Sequence, residues 1–498
     1  MLFWSKINKG ATEGDEKLTA ANKRLLTGIH RLQFEPLPRT KVHSSGMEKL
    51  PMMGRRIVLF PLPLLDYMNP MFQLAEILHA KGFSISIIHT NFNAPNPKNH
   101  IGFTFHPISD GLLASEASSL DLITLFDILN VKCVAPFRDR LSQMLSDALE
   151  EEPIACLITD GMLHFTQTVA DSLKLPRLVL RTSNVSSLLA IAALPLLRQK
   201  GYLTVQDSQS ELPVPELPPL KVKDIPSVRS SNSEAFFQLT TRVCKGIKAS
   251  HGLIVNTFEE LEDPAIAIVR QDFQIPVFAI GPFHKIIPAS SSGLLTLDKS
   301  CIEWLNTQAP KSVLYVSFGS AAAIDEIEFG EIAWGLANSE RPFLWVVWPG
   351  MVRGSKGSHP LPDGLTQMIS GRAHIVKWAP QEDVLAHPAT GGFWTHNGWN
   401  STLESICEGV PMICLPFIAD QMSNARYVTD VWNVGLRLEG KLERGEIAMT
   451  IRGLMSEKEG KEMRERAAFF KEKANLCLEE GGSSYKSLES LASHISSF

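Results

Sequence analysis

Two successive series of short β-rich runs, each run followed by a longer amphipathic segment, constrain the fold of this chain more than any other feature. Such alternation is typical of parallel sheets covered by helices on both faces. The first series has five predicted strands and begins at Arg56 to Phe60, and the second has six and begins at Val313 to Phe318. Because 498 residues are too many for one ordinary hydrophobic core, we expect an α/β protein with two domains.

The predicted domain bounds follow from these two series. Residues 47–285 are assigned to an N-terminal doubly wound domain, residues 286–300 to a Ser/Gly-containing linker, and residues 301–475 to a C-terminal doubly wound domain. Residues 476–498 are predicted to contain a helix that packs back on the N-terminal domain. Open parallel sheets bind ligands at the carboxyl ends of their strands, so we expect the active site in the cleft between the domains.

Residues 1–46 lack the β/α alternation and the apolar core of a secretory signal. We expect a disordered extension or a mis-assigned start, since a second possible start lies at Met47. An organelle transit peptide is the alternative, which the acidic residues Glu13, Asp15 and Glu16 disfavour because such peptides avoid acidic side chains.

The charge balance bears on the kind of partner, and the cysteines bear on the cellular compartment. Lys plus Arg number 48 and Asp plus Glu number 53, so no polybasic surface is expected and nucleic acid is not a predicted partner. The seven cysteines are widely spread without a CxxC pair, which predicts reduced thiols and a cytoplasmic protein. The longest apolar run, Leu188 to Leu197, is too short for a membrane span.

The densest functional signal runs from Trp378 to Gln421. A predicted strand, Gly392 to Thr395, ends in His396, and a helix then opens at Asn400 and Ser401. A glycine-bearing turn into a helix N-terminus presents free N–H groups and the positive end of the helix dipole, which suits a diphosphate. His396 adds a further donor for the same phosphates.

Other side chains of this segment match the remaining parts of a nucleotide sugar. Glu404 lies one turn after Asn400, where a carboxylate accepts hydrogen bonds from ribose hydroxyls. Trp378 offers a flat face for a base, and Asp420 with Gln421 provides acceptors and donors for sugar hydroxyls. Taken singly, a tryptophan or histidine at a strand end is more often a core or structural residue. The combination of these residues in this order favours a binding site over a set of unrelated core residues.

This order of residues resembles the plant secondary-product glycosyltransferase box of family 1 UDP-glycosyltransferases, and the resemblance extends from Arg55 to the C-terminus. It implies a GT-B fold of two Rossmann-like domains, a UDP-glucose donor held mainly by the C-terminal domain and a small hydrophobic acceptor in the N-terminal one. It also implies inversion at the anomeric carbon. The chain lacks an Asp-x-Asp pair, so neither a metal nor another cofactor is expected.

The resemblance also implies roles for individual residues. Trp378 with Ala379 corresponds to the uracil site, Gln381 and Glu404 to the ribose contacts, and Ser320, His396, Asn400 and Ser401 to the diphosphate contacts. The implied hexose contacts are Trp399, Asp420, Gln421 and, from the N-terminal domain, Thr182.

The catalytic loop departs from the family pattern. Relatives carry Gln-Gly-His after the first strand, and this His, oriented by an Asp, removes the proton from the acceptor. Here Tyr67 stands at the His position and Asp66 at that of the Gly. A phenol with a reference pKa of about 10 is a poor general base. Asp160 matches the orienting Asp, but Asp160 and Asp66 are equally consistent with helix caps, Asp66 for a helix at Pro70.

One branch of the family offers an explanation for the missing His. The segments from Phe60 to Leu64, Asn69 to Met71, His89 to Pro95 and Gly481 to Ser484 resemble those of plant cytokinin N-glucosyltransferases, a branch that also lacks this His. A purine ring nitrogen attacks through its lone pair before losing a proton, so it depends less on a base. Two alternatives stay open: O-glucosylation of a terpenoid or phenol with Asp66 or Asp160 as the base, and a catalytically impaired UDP-sugar-binding relative.

Overall fold

The computed structural model shows two parallel α/β sheets, each covered by helices, as the sequence predicts. It describes residues 55–112, 121–148, 152–204, 210–225, 233–287, 298–320, 323–354 and 360–498. The predicted extension, 1–46, and residues 288–297 of the predicted linker lie outside these ranges. Within the described part of the chain, no helix combines the length and the apolar character needed to cross a membrane.

The N-terminal sheet has seven parallel strands in the order β3-β2-β1-β4-β5-β6-β7. Its strands are β1 (Arg56–Phe60), β2 (Ser84–Thr90), β3 (Thr104–Ile108), β4 (Ile154–Asp160), β5 (Arg177–Arg181), β6 (Gly252–Val255) and β7 (Val277–Ala279). The helices of this part are α1 (Leu65–Ala80), α2 (Leu122–Lys132), α3 (Val134–Ser146), α4 (Phe165–Ser172), α5 (Val185–Ala192), α6 (Leu194–Gln199), α7 (Ser233–Lys248), α8 (Glu259–Phe273) and α9 (Phe283–Ile286).

The C-terminal sheet has six parallel strands in the order β10-β9-β8-β11-β12-β13. Its strands are β8 (Val313–Ser317), β9 (Phe343–Val346), β10 (Ala373–Val376), β11 (Thr390–Thr395), β12 (Met412–Cys414) and β13 (Gly435–Arg437). The remaining helices are α10 (Ser300–Leu305), α11 (Glu326–Asn338), α12 (Leu365–Met368), α13 (Gln381–Ala386), α14 (Trp399–Glu408), α15 (Gln421–Arg426), α16 (Arg444–Ser456), α17 (Lys458–Leu476) and α18 (Ser483–Ser496).

The central strands are apolar on both faces because each face is buried against helices. In β1, Val58 and Phe60 pack into one hydrophobic cluster, whereas Ile57 and Leu59 pack into the cluster on the opposite face. Successive side chains of a strand point to opposite faces, so a strand buried on both sides reads as an unbroken apolar run. This pattern places the polar residues of each domain at the strand ends, where the site is found.

The C-terminal helix α18 packs on the N-terminal domain. Its Leu488, Leu491 and Ile495 lie in the same cluster as Ile57, and Ser484 Oγ donates a 2.6 Å hydrogen bond to the carbonyl oxygen of Gly281. The preceding helix α17 instead contributes Ala467 and Ala474 to a core of the C-terminal domain. The chain therefore returns to its first domain after completing the second.

A buried ion cluster joins the two domains beside the cleft. Asp224, on the N-terminal side, has no exposed surface and accepts hydrogen bonds from Arg426 Nε at 2.6 Å and Arg437 Nη1 at 2.8 Å. Arg426 also donates to Asp430 at 2.9 Å, but that carboxylate is partly exposed. Removing one partner of a buried pair leaves an uncompensated charge, whereas an exposed pair contributes little.

We therefore predict that Asp224→Asn lowers the melting temperature by about 5 °C or more, because loss of one partner of a buried pair costs roughly 3–5 kcal/mol. Asp430→Asn is the matched control, since it removes the exposed partner of the same arginine and should cost less than about 1 kcal/mol. Thermal denaturation followed by circular dichroism measures both. Equal melting temperatures for the two variants would contradict the assignment.

Candidate active site

Two adjoining cavities open between the carboxyl ends of the two sheets. The C-side cavity, about 260 Å³, is lined mainly by residues that follow β8, β10 and β11, and the N-side cavity, about 300 Å³, mainly by residues that follow β1 and β5. Asp66, Ser320 and His396 are among the residues that line both. The two cavities thus meet at one point in the cleft.

The residues singled out in the sequence are distributed over these cavities. Those that line the C-side cavity are Asp66, Ser320, Trp378, Ala379, Gln381, His396, Asn400, Ser401 and Glu404. Those that line the N-side cavity are Asp66, Tyr67, Thr182, Ser320, His396, Trp399, Asn400, Ser401, Asp420 and Gln421. Asp160 lines neither cavity and is fully buried at the end of β4.

The N-terminus of α14 faces the point where the cavities meet. Gly398 occupies the cap position and has no side chain with which to satisfy the N–H groups of the first turn. These groups and the helix dipole favour an anion there. Asn400 Nδ2 donates a 2.9 Å hydrogen bond to the backbone carbonyl of Asp66, so the helix N-terminus is also tied to the opposite domain.

His396 lies between two glycines that make room for its ring. A Cβ atom at Gly319 would lie 2.7 Å from His396 Nε2, and a Cβ atom at Gly398 would lie 2.6 Å from the same atom. Gly319 also has a φ of +72°, a conformation that favours glycine. Burial lowers the pKa of His396 to about 4, so the ring is neutral at pH 7 and acts as a hydrogen-bond donor without a net charge.

Gln381 and Glu404 form a fixed polar pair on the floor of the C-side cavity. Gln381 Nε2 donates to Glu404 Oε2 at 2.7 Å and to Ser401 Oγ at 2.8 Å, and the hydroxyl of Tyr315 donates to Gln381 Oε1 at 3.3 Å. Burial and the nearby carboxylate of Glu382 raise the pKa of Glu404 to about 8. The pair is therefore positioned before any ligand arrives.

Trp378 directly follows Lys377, just beyond β10, and is half-buried at the wall of the C-side cavity. Ala379, next in the chain, is buried and lines the same cavity. An indole at a cavity wall can stack on a flat ring, so Trp378 stays the predicted contact for a base.

Some polar atoms of the implied hexose contacts already form hydrogen bonds within the protein. Trp399 Nε1 donates to the carbonyl of Asn256 at 2.8 Å, so its indole joins the two domains. Gln421 Oε1 accepts from the backbone N–H groups of Phe417 at 2.9 Å and Ile418 at 3.1 Å, which fixes the orientation of its amide group. Asp420 accepts a 3.3 Å hydrogen bond from Asn424. Asp420 and Gln421 line the N-side cavity together with Thr182 of the N-terminal domain.

Tyr67 lies at the aromatic wall of the N-side cavity. Its ring packs edge-on against Phe126, with 6.2 Å between ring centroids. Burial and the nearby carboxylate of Asp160 raise the pKa of Tyr67 above its usual range. Asp160 Oδ1 accepts from the backbone N–H of Met162 at 2.8 Å, whereas its Oδ2 is buried and has no hydrogen-bond partner among the described residues. Asp160 thus caps the turn after β4; the helix cap of α4 is His164.

The interpretation of Asp66 as the cap of a helix at Pro70 is wrong. Helix α1 begins at Leu65, so Asp66 and Tyr67 lie in its first turn and Leu64 occupies the cap position. A carboxylate in the first turn still interacts favourably with the helix dipole. Desolvation and the nearby carboxylate of Asp420 raise the pKa of Asp66 to about 6.

Three of the cleft residues that sequence reasoning missed bear directly on the geometry of the site. Arg181, at the end of β5, lines the N-side cavity, and Asn256 and Tyr315 hold Trp399 and Gln381 in place. Only Arg181 gave a signal, as a charged residue that ends an apolar strand.

Comparisons with known proteins agree with this architecture. Residues 233–467 match the model of the family described as UDP-glucoronosyl and UDP-glucosyl transferase. The chain is 50% identical over 442 residues to UDP-glycosyltransferase 76B1 of Arabidopsis thaliana, which covers 89% of this chain and 98% of that protein. It is 45% identical over 427 residues to DIMBOA UDP-glucosyltransferase BX9 of Zea mays, covering 84% and 91%.

The solved structure of Phytolacca americana UGT2 with UDP-2fluoro-glucose and pterostilbene matches with a TM-score of 0.75 and 31% identity. It covers 89% of this chain and all of that one.

Two facing parallel-sheet domains with a cleft between their carboxyl edges define a GT-B glycosyltransferase. Relatives that match over more than 90% of their own length, at 45–50% identity, indicate the family within this class. The chain belongs to the plant family 1 UDP-glycosyltransferases.

We predict that Glu404→Ala weakens UDP binding about ten- to a hundredfold, because charge-assisted hydrogen bonds contribute roughly 1.5–3 kcal/mol. Isothermal titration calorimetry measures the affinity. The control is Glu462→Ala, which removes a half-exposed carboxylate of α17. Unchanged UDP affinity in Glu404→Ala would rule out this carboxylate as a ribose contact.

The raised pKa of Glu404 predicts proton release on ligand binding. With a pKa of about 8 the carboxyl is mostly protonated at pH 7, and it must ionise to accept from two ribose hydroxyls. Uridine, which has no phosphate to titrate, should therefore bind more tightly as the pH rises from 6 to 8.5. Calorimetry in buffers of different ionisation enthalpy detects the released proton. Glu404→Gln should bind uridine independently of pH; a pH-independent wild type would refute the mechanism.

Proposed function

We propose that this protein is an inverting glucosyltransferase that moves glucose from UDP-glucose to a ring nitrogen of an adenine-type cytokinin. Its membership of the family and the UDP-glucosyltransferases among its relatives support the donor. The apolar wall of the N-side cavity, which includes Leu122, Ile123 and Phe126, supports a small hydrophobic acceptor.

The observation that carries the nitrogen acceptor is the pair of Tyr67 and Asp160. A phenol whose pKa is raised does not take a proton from an alcohol near pH 7. Asp160 Oδ2, which would orient a histidine in relatives, has no hydrogen-bond partner among the described residues. A ring nitrogen attacks the anomeric carbon with its lone pair, the bond to the UDP oxygen breaks, and the nitrogen loses its proton afterwards.

The donor would lie in the C-side cavity. Uracil would stack on Trp378, the ribose would contact Gln381 and Glu404, and the diphosphate would lie at the N-terminus of α14 beside His396. The sugar would reach Asp420 and Gln421 in the N-side cavity. Because the helix N-terminus and the imidazole N–H meet the charge that develops on UDP, we propose that no metal or other cofactor takes part.

Asp66 favours a second candidate function, the O-glucosylation of a phenol or terpenoid. It lines both cavities, so it lies close to the point where an acceptor would meet the sugar. A carboxylate whose pKa is raised to about 6 is ionised at pH 7 and is a better base than an ordinary aspartate.

We also propose that the protein works in the cytosol. All seven cysteines are free thiols and six of them are buried, which fits a reducing compartment.

The substitutions Tyr67→Phe and Tyr67→His separate the two mechanisms. Tyr67→Phe should keep most of the activity on adenine acceptors, because it removes only a hydroxyl. Tyr67→His should place a base beside Asp160 and raise the ratio of phenol to adenine turnover about 10²-fold or more. UDP release with matched phenol and adenine acceptors gives this ratio.

Tyr485→Phe on α18, a residue that lines neither cavity, is the control and should leave the ratio unchanged. If wild type prefers phenols and Tyr67→Phe abolishes that preference, Tyr67 itself is catalytic and the nitrogen-acceptor proposal is wrong. If UDP binds but no acceptor is turned over by wild type or either variant, the protein is a UDP-sugar-binding relative without transferase activity.

A further inference from the structure

Asn424 is a fully buried polar residue that joins two parts of the cleft. It lies in α15 and lines neither cavity. Its Nδ2 donates a 2.8 Å hydrogen bond to the backbone carbonyl of Asn397 and a 3.3 Å hydrogen bond to Oδ2 of Asp420. The first acceptor belongs to the turn at the proposed diphosphate position, and the second to a proposed sugar contact. One amide nitrogen therefore connects the two.

The turn that Asn424 contacts has a strained backbone. Asn397 has a φ of +62°, in the left-handed region that few residues other than glycine adopt. Such a conformation persists only where the surrounding structure fixes it, and it is concentrated at ligand sites. The N–H of Asn397 donates to Thr395 Oγ1 at 3.2 Å, and Asn424 fixes the carbonyl of the same residue. The turn leads directly into Gly398, the cap of α14.

The carboxylate of Asp420 depends on Asn424 for its position. Within the described part of the chain, Asn424 is the one side chain that donates a hydrogen bond to this carboxylate. Burial raises the pKa of Asp420, whereas the charge of Arg181 and the hydrogen bond from Asn424 lower it. The amide thus favours the ionised carboxylate, which is the form that only accepts hydrogen bonds and so suits sugar hydroxyls.

Ser423, the preceding residue of α15, shows the contrast with a polar group that serves only its own helix. It is also fully buried, and its Oγ donates a 2.9 Å hydrogen bond to the backbone carbonyl of Asp420. That bond stays within one turn of the helix, as serine hydroxyls commonly do. The amide of Asn424 instead reaches a side chain of the cleft and a turn that is 27 residues away in sequence.

We propose that Asn424 is a positioning residue of the donor site, which holds the carboxylate of Asp420 in a fixed place relative to the turn at Asn397. This inference rests on the proposed use of UDP-glucose, but not on the identity of the acceptor. Glucose and diphosphate are covalently joined in the donor, so the groups that bind them must keep one relative position. Asn424 supplies this constraint without touching the donor itself.

The test is a double-mutant cycle on the full-length protein, in which calorimetry gives the Kd of UDP-glucose and the Kd of UDP without an acceptor. The measured quantity is the ratio of the first Kd to the second. Asn424→Ala should raise this ratio about tenfold, because the hydrogen bond that places a charged sugar contact is lost. Asp420→Asn should raise it as well. The double variant should raise it no further than the larger single change, because both residues act through one contact.

Ser423→Ala is the matched control, since it removes a buried hydrogen bond of the same helix but not one to the carboxylate, and it should leave the ratio unchanged. Asn424→Ser is a second variant that protects against misfolding. Its hydroxyl can donate to the backbone carbonyl four residues earlier, so the helix keeps a satisfied side chain while the bridge is lost. The ratio should rise as in Asn424→Ala. Retained UDP binding shows that each variant is folded.

The positioning role is wrong if both Asn424 variants weaken UDP and UDP-glucose equally, or if the effects of Asn424→Ala and Asp420→Asn simply add. It is also wrong if Asp420→Asn leaves the ratio unchanged. In each of these cases wild type still binds UDP-glucose, so the proposed donor stands. A wild type that does not bind UDP-glucose refutes the proposed function and this inference together.

Discussion

The carboxylate of Asp224 is buried between two arginines that belong to the other domain, Arg426 and Arg437. This ion cluster, with the hydrogen bonds from Trp399 to Asn256 and from Asn400 to Asp66, keeps the carboxyl edges of the two sheets opposed. The shape of the cleft depends on this arrangement of the two sheets, because residues of both domains line the N-side and C-side cavities. The side chains that hold the domains together are therefore as important for the site as those that would touch a ligand.

The N-side cavity combines an uncharged phenol with a buried positive charge. Tyr67 cannot take a proton at neutral pH, whereas Arg181 offers a positive charge a short distance away. The uncharged phenol fits the proposed ring-nitrogen acceptor, because such a nucleophile needs no deprotonation before it attacks. The C-side cavity shows no comparable departure, since Gln381, Glu404 and the N-terminus of α14 are positioned as the sequence predicts.

The α/β class and the polar strand ends could be predicted from the sequence because strands buried on both faces form unbroken apolar runs. Two strands escaped prediction: β3 contains His106 and Pro107 at the sheet edge, and β7 has only three residues. The helix considered for Pro70 begins at Leu65 instead, so Pro70 lies inside it. Contacts between residues far apart in sequence, such as that between Trp399 and Asn256, leave no local pattern and required the three-dimensional structure.

The return of helix α18 to the N-terminal domain has a mechanical consequence. The chain passes between the domains twice, once between Ile287 and Asp298 and again between α17 and α18. Two covalent crossings tether the domains at two places, which limits how far they can separate. Both crossings stay intact in any opening of the cleft, so the two carboxyl edges remain tethered to each other even when the contacts between the domains are broken.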